Sequence, residues 1–122
     1  DGTLTHNMPI HVRAFDAFAA RHGLPALDRA MRVRLDGKRN ADIMPILFDR
    51  ALDAAEIAAL AEEKESLYRR LSRGVLQPLP GLVRFLELLA ARAIPVAIAT
   101  SAPAENVPHT LTEIGLLERF PH

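Results

Sequence analysis

The sequence predicts an α/β chain in which a helical unit precedes part of a parallel-sheet core. Amphipathic helical segments with no strand among them fill the chain as far as residue 77. A turn-forming linker, Pro-Leu-Pro-Gly, follows at residues 78–81, and an apolar run of strand length lies at residues 94–99 between two further helical segments. Helix, buried strand and helix form half of a doubly wound α/β pattern.

The segments before the linker have the periodicity of amphipathic helices. We expect helices over residues 8–22, 28–35, 41–50 and 53–73. Asn7 and Asn40 are placed to cap the first and third of these helices, because a short polar side chain can accept a hydrogen bond from a backbone N–H of the first turn. Asp53 and Glu56 form a capping box at the start of the fourth. Pro45 predicts a kink in the third helix or a late start of it.

The sequence pattern before the linker differs from the pattern after it. The fourth helix carries four charged residues at 62–65, which indicates that part of it faces solvent. After the linker, residues 82–93 predict a helix with an apolar stripe formed by Val83, Phe85, Leu86, Leu88 and Leu89. Residues 94–99 predict a strand buried on both faces, and residues 105–116 predict a final helix.

Composition excludes several classes of function. The net charge is zero and the two signs alternate along the chain, so neither a nucleic-acid footprint nor a membrane-binding patch is predicted. The chain has no cysteine, which excludes thiolate catalysis and cysteine-based zinc sites and indicates the cytoplasm. Charged residues and a proline interrupt the most apolar region, residues 85–104, so no membrane span is predicted.

Two short stretches are candidates for chemistry. The chain opens with Asp-Gly-Thr at residues 1–3, and the apolar run at residues 94–99 ends in Thr100 and Ser101. In a doubly wound fold, the carboxyl end of a strand is where ligands bind. The Thr100 hydroxyl, with the backbone N–H groups of Ser101 and Ala102, therefore predicts a phosphate site near a helix N-terminus.

These stretches resemble motifs I and II of the haloacid dehalogenase superfamily, and the residues between them resemble its β-phosphoglucomutase-like branch. The resemblance implies a Rossmann-like core with a helical cap inserted after motif I. On that basis residues 1–9 begin the core, residues 10–77 form the cap and residues 78–122 return to the core. The linker at residues 78–81 falls where the family's chain re-enters its core.

The resemblance also implies a role for Asp1. In the family's motif Asp-x-Asp-Gly-Thr the first Asp is the nucleophile and the second is the general acid/base, and Asp1 matches the second. Its backbone carbonyl would be a Mg²⁺ ligand. The nucleophile, the lysine of motif III and the acidic pair of motif IV are not in the sequence. We therefore expect a fragment that is inactive alone.

Further site residues are implied in the cap. His11 and Lys64 match a histidine and a lysine that face the substrate in mutase-like members. Gly37, Lys38, Arg39 and Asn40 match the loop that sets substrate specificity. Asn40 stands where the mutases have a phosphate-binding arginine, so Lys38 or Arg39 would have to take over that contact. Three further histidines, His22, His109 and His122, are expected at the surface.

The resemblance therefore implies a Mg²⁺-dependent phosphotransferase that works through an aspartyl-phosphate, and we interpret it as a phosphatase of a small phosphorylated metabolite. A sugar-phosphate mutase is the first alternative. A non-catalytic helical binding or dimerisation module is the second. A dehalogenase is disfavoured, because Asp1 supplies the acid/base that phosphate chemistry needs. The sequence leaves the oligomeric state open.

Overall fold

The structure is a computed structural model that describes residues 1–120. The regular elements of these residues are α1 (Met8–Arg21), α2 (Arg29–Leu35), α3 (Asn40–Phe48), α4 (Ala54–Ser72), α5 (Leu82–Ala91), α6 (Asn106–Glu113) and a 3₁₀ turn (Leu117–Arg119). None of the helices in this part of the chain is long and apolar enough to cross a membrane. His122, predicted at the surface, lies outside the described residues.

The chain forms two compact units. One consists of Ile10–Leu71 and contains α2, α3 and most of α1 and α4. The other consists of Asp1–Pro9 with Ser72–His122 and contains α5 and α6. The assignment of the first unit as a cap and the second as a core remains a prediction.

The helical unit has an apolar core that follows the predicted stripes. Its buried hydrophobic residues are Ile10, Ala14, Phe18, Ala19, Leu27, Leu35, Ile43, Met44, Leu47, Leu67 and Tyr68. Phe18 is fully buried, and its ring lies 4.6 Å from the His22 ring and 6.2 Å from the Phe48 ring, centroid to centroid. The edge-on arrangement of Phe18 and Phe48 is a favourable geometry for aromatic pairs. These rings join the end of α1 to the end of α3.

Polar contacts also join α1 to α4. Glu63 accepts hydrogen bonds from His22 at 2.9 Å and from Arg21 at 3.3 Å. The bond with His22, assisted by that with Arg21, lowers the pKa of Glu63 below its usual range. His22 is thus partly buried and bonded, because the Glu63 carboxylate and two aromatic rings lie against an imidazole that remains 27% exposed.

The helix starts show where local sequence signals decide the fold. Asp28 caps α2 by accepting the Met31 N–H at 2.7 Å. The capping box of α4 is confirmed, since the Glu56 N–H donates to Asp53 at 2.8 Å and the Asp53 N–H donates to Glu56 at 3.1 Å. The predicted cap at Asn40 is wrong. Arg39 occupies that position without a side-chain bond, because the Asn40 amide bonds to α4 instead.

Replacing Asp53 with alanine is expected to destabilise the helical unit by about 1 kcal/mol, because the capping bond to Glu56 is lost while the helix interior is untouched. The measurement is the urea midpoint of unfolding. Val33→Ala, which truncates an exposed side chain of α2, is the control. Equal midpoints for Asp53→Ala and the control would contradict the importance of the capping box.

The second unit ties the start of the chain to the linker. Thr5 forms an antiparallel bridge with Pro78, and the Leu79 N–H donates to the Leu4 carbonyl at 2.8 Å. The Ser72 hydroxyl shares a 2.8 Å hydrogen bond with the His109 ring. His109 is therefore partly buried, and its partner Ser72 is fully buried.

Two predictions for this unit are wrong. Residues 94–99 form no strand, and Ile94 is 46% exposed instead of buried. A strand needs a neighbour to exchange hydrogen bonds, and the bridge between Thr5 and Pro78 is the sole β-pairing within residues 1–120. Of the predicted stripe on α5 only Leu86 is buried, while Phe85 is 57% exposed, since no sheet covers the helix in the described part of the chain.

Candidate active site

Asp1 lies in an opening turn that a buried side chain holds. The Gly2 N–H donates to the Thr5 carbonyl at 2.9 Å and also reaches the Asn7 Oδ1 at 3.3 Å. The Asn7 Nδ2 donates to the Asp1 carboxylate. Thr5 and Asn7 are buried, whereas Asp1 is exposed. The buried Asn7 amide therefore orients a carboxylate that solvent or a ligand can reach.

Residues 100–102 form a small turn of their own. The Ala102 N–H donates to the Thr100 Oγ1 at 3.1 Å, and both Thr100 and Ser101 are exposed. A threonine hydroxyl carries one donor and two acceptor positions, so accepting this bond leaves its own proton available for a ligand oxygen. The next helix, α6, begins at Asn106. The predicted phosphate-binding residues thus lie together in one exposed turn ahead of a helix.

In the helical unit, His11, Asn40 and Lys64 gather around a fourth residue, Glu65. We call these four residues the Glu65 cluster. The Asn40 Nδ2 donates to the Glu65 Oε1 at 2.9 Å, and the Lys64 ammonium forms an ion pair with the same oxygen. Both charged side chains are only 5% exposed. The ammonium also lies 4.7 Å above the centre of the Phe15 ring, a cation–π contact.

His11 completes the cluster as a neutral group. Its ring stacks on Tyr68 with centroids 3.9 Å apart and planes inclined by 2°. Burial, together with the positive charge of Lys64, lowers the pKa of His11 to about 4, although Glu65 opposes the shift. The imidazole is therefore uncharged at neutral pH, and it adds no cation to the cluster.

This shift predicts acid sensitivity. Between the usual pKa of 6.5 and the folded-state value of about 4, the unfolded chain binds a proton at His11 and the folded chain does not. The free energy of unfolding is therefore not reduced by His11 above pH 6.5. It falls as the pH decreases toward 4, by at most about 3 kcal/mol in total. The measurement is the melting temperature across this range, for the wild type and for His11→Gln.

The difference between the two melting curves is the informative quantity. Carboxylates such as Glu63 also titrate toward the acid end, but they do so in both proteins. We expect His11→Gln to lose the part of the pH dependence that lies above pH 5, about one unit above the folded-state pKa. Parallel curves would contradict the lowered value, because they would show that folding does not change the pKa of His11.

The other predicted cap residues lie apart from the Glu65 cluster. Gly37, Lys38 and Arg39 are exposed between α2 and α3, and the Lys38 N–H donates to the Leu35 carbonyl at 3.1 Å. The positive φ of 70° at Gly37 suits glycine, because other residues adopt it at a cost. The predicted residues are thus divided, with Asp1 and residues 100–102 in one unit and the cap residues in the other.

Glu65 is the member of the Glu65 cluster that sequence reasoning missed. The charged run at residues 62–65 indicates only that part of α4 faces solvent, and within this run Lys64 and Glu65 are buried. A signal existed. Leu60, Lys64, Leu67 and Leu71 recur at helical spacing, which places the lysine on the apolar stripe of α4.

Mg²⁺ takes oxygen ligands, and Asp1 offers both a carboxylate and a backbone carbonyl. Within residues 1–120, however, no three His, Cys, Asp or Glu side chains come together as a metal site. Asp1 can therefore supply part of a Mg²⁺ site, but residues 1–120 do not form a complete one.

The chain matches one protein family and is similar to a characterised phosphatase. The family described as haloacid dehalogenase-like hydrolase matches residues 1–122. A chloroplastic 5-amino-6-(5-phospho-D-ribitylamino)uracil phosphatase of Arabidopsis thaliana is 24% identical over 87 residues, which cover 71% of this chain and 23% of the relative. The match therefore concerns a minor part of that phosphatase.

Solved structures show the same fold. A HAD hydrolase of family IA, variant 3, from Entamoeba histolytica superposes with a TM-score of 0.91 at 27% identity, covering 99% of this chain and 55% of that one. A β-phosphoglucomutase of Clostridium difficile gives a TM-score of 0.78 at 20% identity, covering 98% and 56%. The predicted fold class is confirmed. The chain spans about half the length of these structures.

Proposed function

The chain belongs to the haloacid dehalogenase-like hydrolases, and from that membership we propose that the whole protein is a Mg²⁺-dependent phosphatase of a small phosphorylated metabolite. The observation that carries the proposal is the contact between Asn7 and Asp1. A general acid/base must be held in position while it remains accessible to the reacting group. The buried Asn7 amide and the exposed Asp1 carboxylate meet both requirements.

In the proposed mechanism, the family's aspartate nucleophile attacks phosphorus and Asp1 donates its proton to the departing alkoxide oxygen. Asp1 then takes a proton from the water that hydrolyses the aspartyl-phosphate, which restores both carboxyl groups. The Thr100 hydroxyl and the backbone N–H of Ser101 hold the phosphoryl oxygens. Mg²⁺, with the Asp1 carbonyl among its ligands, would neutralise charge on the phosphoryl group. We also propose that the whole protein is located in the cytoplasm.

A sugar-phosphate mutase is the second candidate, and the grouping of His11 with Lys64 supports it. Two observations favour the phosphatase. Asn40 replaces the arginine that the mutases use to hold a phosphate, and its amide is engaged with Glu65. Lys38 and Arg39, which would have to replace that arginine, remain exposed outside the cluster. Family membership favours either enzyme over a non-catalytic helical module.

The experiment is an assay of the full-length protein on small phosphate esters and sugar phosphates, with Mg²⁺ and with a chelator. Released inorganic phosphate is measured directly, and isomerisation of glucose 1-phosphate to glucose 6-phosphate is measured with a coupled dehydrogenase. We expect Mg²⁺-dependent phosphate release from several esters. Isomerisation without phosphate release would establish the mutase instead, and the absence of both reactions would contradict an enzyme.

A further inference from the structure

The two halves of the candidate active site are attached to one segment of the chain, residues 72–79, which we call the support segment. The end of this segment is joined to the opening turn. Thr5 forms an antiparallel bridge with Pro78. Next to it, the Leu79 N–H donates to the Leu4 carbonyl at 2.8 Å. The turn that carries the proposed acid/base is therefore bonded to the support segment.

The beginning of the support segment is bonded to α6. The Ser72 hydroxyl shares a 2.8 Å hydrogen bond with the His109 Nε2, and Ser72 is fully buried. The Gly74 N–H donates to the Glu113 carboxylate. His109 and Glu113 lie four positions apart in the sequence, so they share one face of α6. The helix is therefore held to the support segment at two successive turns.

The phosphate-binding turn follows α6 closely in space because only a short connection separates them in sequence. Within the turn, the Ala102 N–H donates to the Thr100 hydroxyl, and both Thr100 and Ser101 are exposed. The Asn106 N–H, at the start of α6, donates to the Pro103 carbonyl at 2.9 Å and so closes the connection. The position of the turn thus depends on the position of α6.

Apolar packing also holds α6, but it constrains the helix less closely than the two hydrogen bonds do. Leu111 is buried on α6. Hydrophobic attraction has no preferred direction, whereas a hydrogen bond weakens steeply when its length or angle changes. The bonds made by His109 and Glu113 therefore limit how far α6 can rotate or slide.

We propose that His109 is a positioning residue that fixes the phosphate-binding turn relative to Asp1, by bonding α6 to Ser72. The support segment then carries both the acid/base and the phosphate-binding residues, all of which lie in the same compact unit. This inference rests on the proposed phosphatase function, and it assigns to that site a residue that acts without touching the substrate.

The test measures the binding of phosphate separately from hydrolysis. Full-length protein is titrated with inorganic phosphate in the presence of Mg²⁺, and the dissociation constant is determined by calorimetry. In His109→Leu and in Ser72→Ala we expect this constant to rise about 3–10-fold, the effect of losing one hydrogen bond. His109→Gln has an amide that can bond to the Ser72 hydroxyl, and we expect it to bind phosphate within about twofold of the wild type.

A double variant shows whether the two residues act through their shared bond. If they do, the protein with both Ser72→Ala and His109→Leu binds phosphate no more weakly than the weaker single variant, since the second substitution has no bond left to remove. Thr112→Ala, which truncates an exposed side chain of the same helix, is the control and should keep the wild-type constant. Should His109→Leu fail to fold, the smaller change Ser72→Ala decides the comparison with this control.

The outcomes separate the inference from the function on which it rests. If the wild type binds phosphate but hydrolyses no phosphate ester, the phosphatase is wrong, while weaker binding by the variants would still support the role of His109. If the folded variants bind phosphate as the wild type does, that role is overturned, and lower urea midpoints would show that the bond contributes only to stability. Additive effects in the double variant, or a wild type that binds no phosphate, would also overturn it.

Discussion

Asp1→Asn is expected to lower kcat for phosphate release by about 10²–10⁴-fold with little change in KM, which is the usual contribution of a positioned general acid/base. Asparagine has nearly the same shape and keeps an oxygen that can accept the Asn7 amide, so the opening turn is preserved. It cannot exchange a proton with the leaving group or with water. The measurement is steady-state phosphate release by the full-length protein.

The leaving group provides an internal check on this prediction. p-Nitrophenolate is a good leaving group that needs little protonation by an acid. The rate of the first chemical step should therefore fall less in Asp1→Asn with p-nitrophenyl phosphate than with an alkyl phosphate. Asp42→Asn, an exposed position in α3, is the matched control and should retain full activity. Activity of Asp1→Asn within about tenfold of the wild type on alkyl phosphates would contradict the acid/base assignment.

Phe18→Ala is expected to reduce the free energy of unfolding of the helical unit by about 3–5 kcal/mol. The side chain is fully buried, and its removal leaves a cavity beside the His22 and Phe48 rings. A domain is stable by only about 5–15 kcal/mol, so the variant would be close to unfolding. The measurement is the urea midpoint followed by far-ultraviolet circular dichroism.

Val33→Ala supplies the control for this variant. Val33 also lies on a helix of the same unit, but it is 69% exposed, and its truncation should change stability by no more than about 0.5 kcal/mol. A small and equal effect of both substitutions would show that Phe18 is not part of the core. A loss at Phe18 without loss at Val33 would support the packing of α1 against the end of α3.

Sequence reasoning succeeded where the signal is local. Asp28 and the pair Asp53 and Glu56 mark helix starts, because capping depends on bonds that span only three residues. Gly37 and Gly74 follow the ends of α2 and α4 and adopt positive φ, as their type favours. These signals located all four helices of the first part of the chain within a few residues.

It failed where the structure depends on partners distant in the chain. Residues 94–99 have the composition of a strand, yet in residues 1–120 no second strand pairs with them. A buried strand and the apolar face of a helix are buried only if another part of the protein packs against them. The composition of a segment does not show whether such a partner is present. The exposure of Phe85 on α5 follows from the same cause.

The candidate site was predicted through family resemblance more than through chemistry. The assignments of Asp1, His11 and Lys64 depend on their positions in family motifs, whereas that of Thr100 also follows from its place at the end of an apolar run, and all four roles remain proposals. Glu65 could not be found that way. Its partner Asn40 lies 25 residues earlier, so the contact exists only because α3 and α4 pack together. The periodicity of α4 would have placed Lys64 inside but would not have revealed which carboxylate neutralises it.

The stereochemical course at phosphorus tests the proposed mechanism most directly. Full-length protein would hydrolyse a phosphorothioate monoester made chiral with oxygen isotopes, in isotopically labelled water, and the configuration of the thiophosphate product would be determined. Transfer through an aspartyl-phosphate requires two in-line displacements, each of which inverts phosphorus, so we predict net retention. Net inversion would show that water attacks the substrate in a single step, and it would contradict the carboxylate intermediate that Asp1 is proposed to serve.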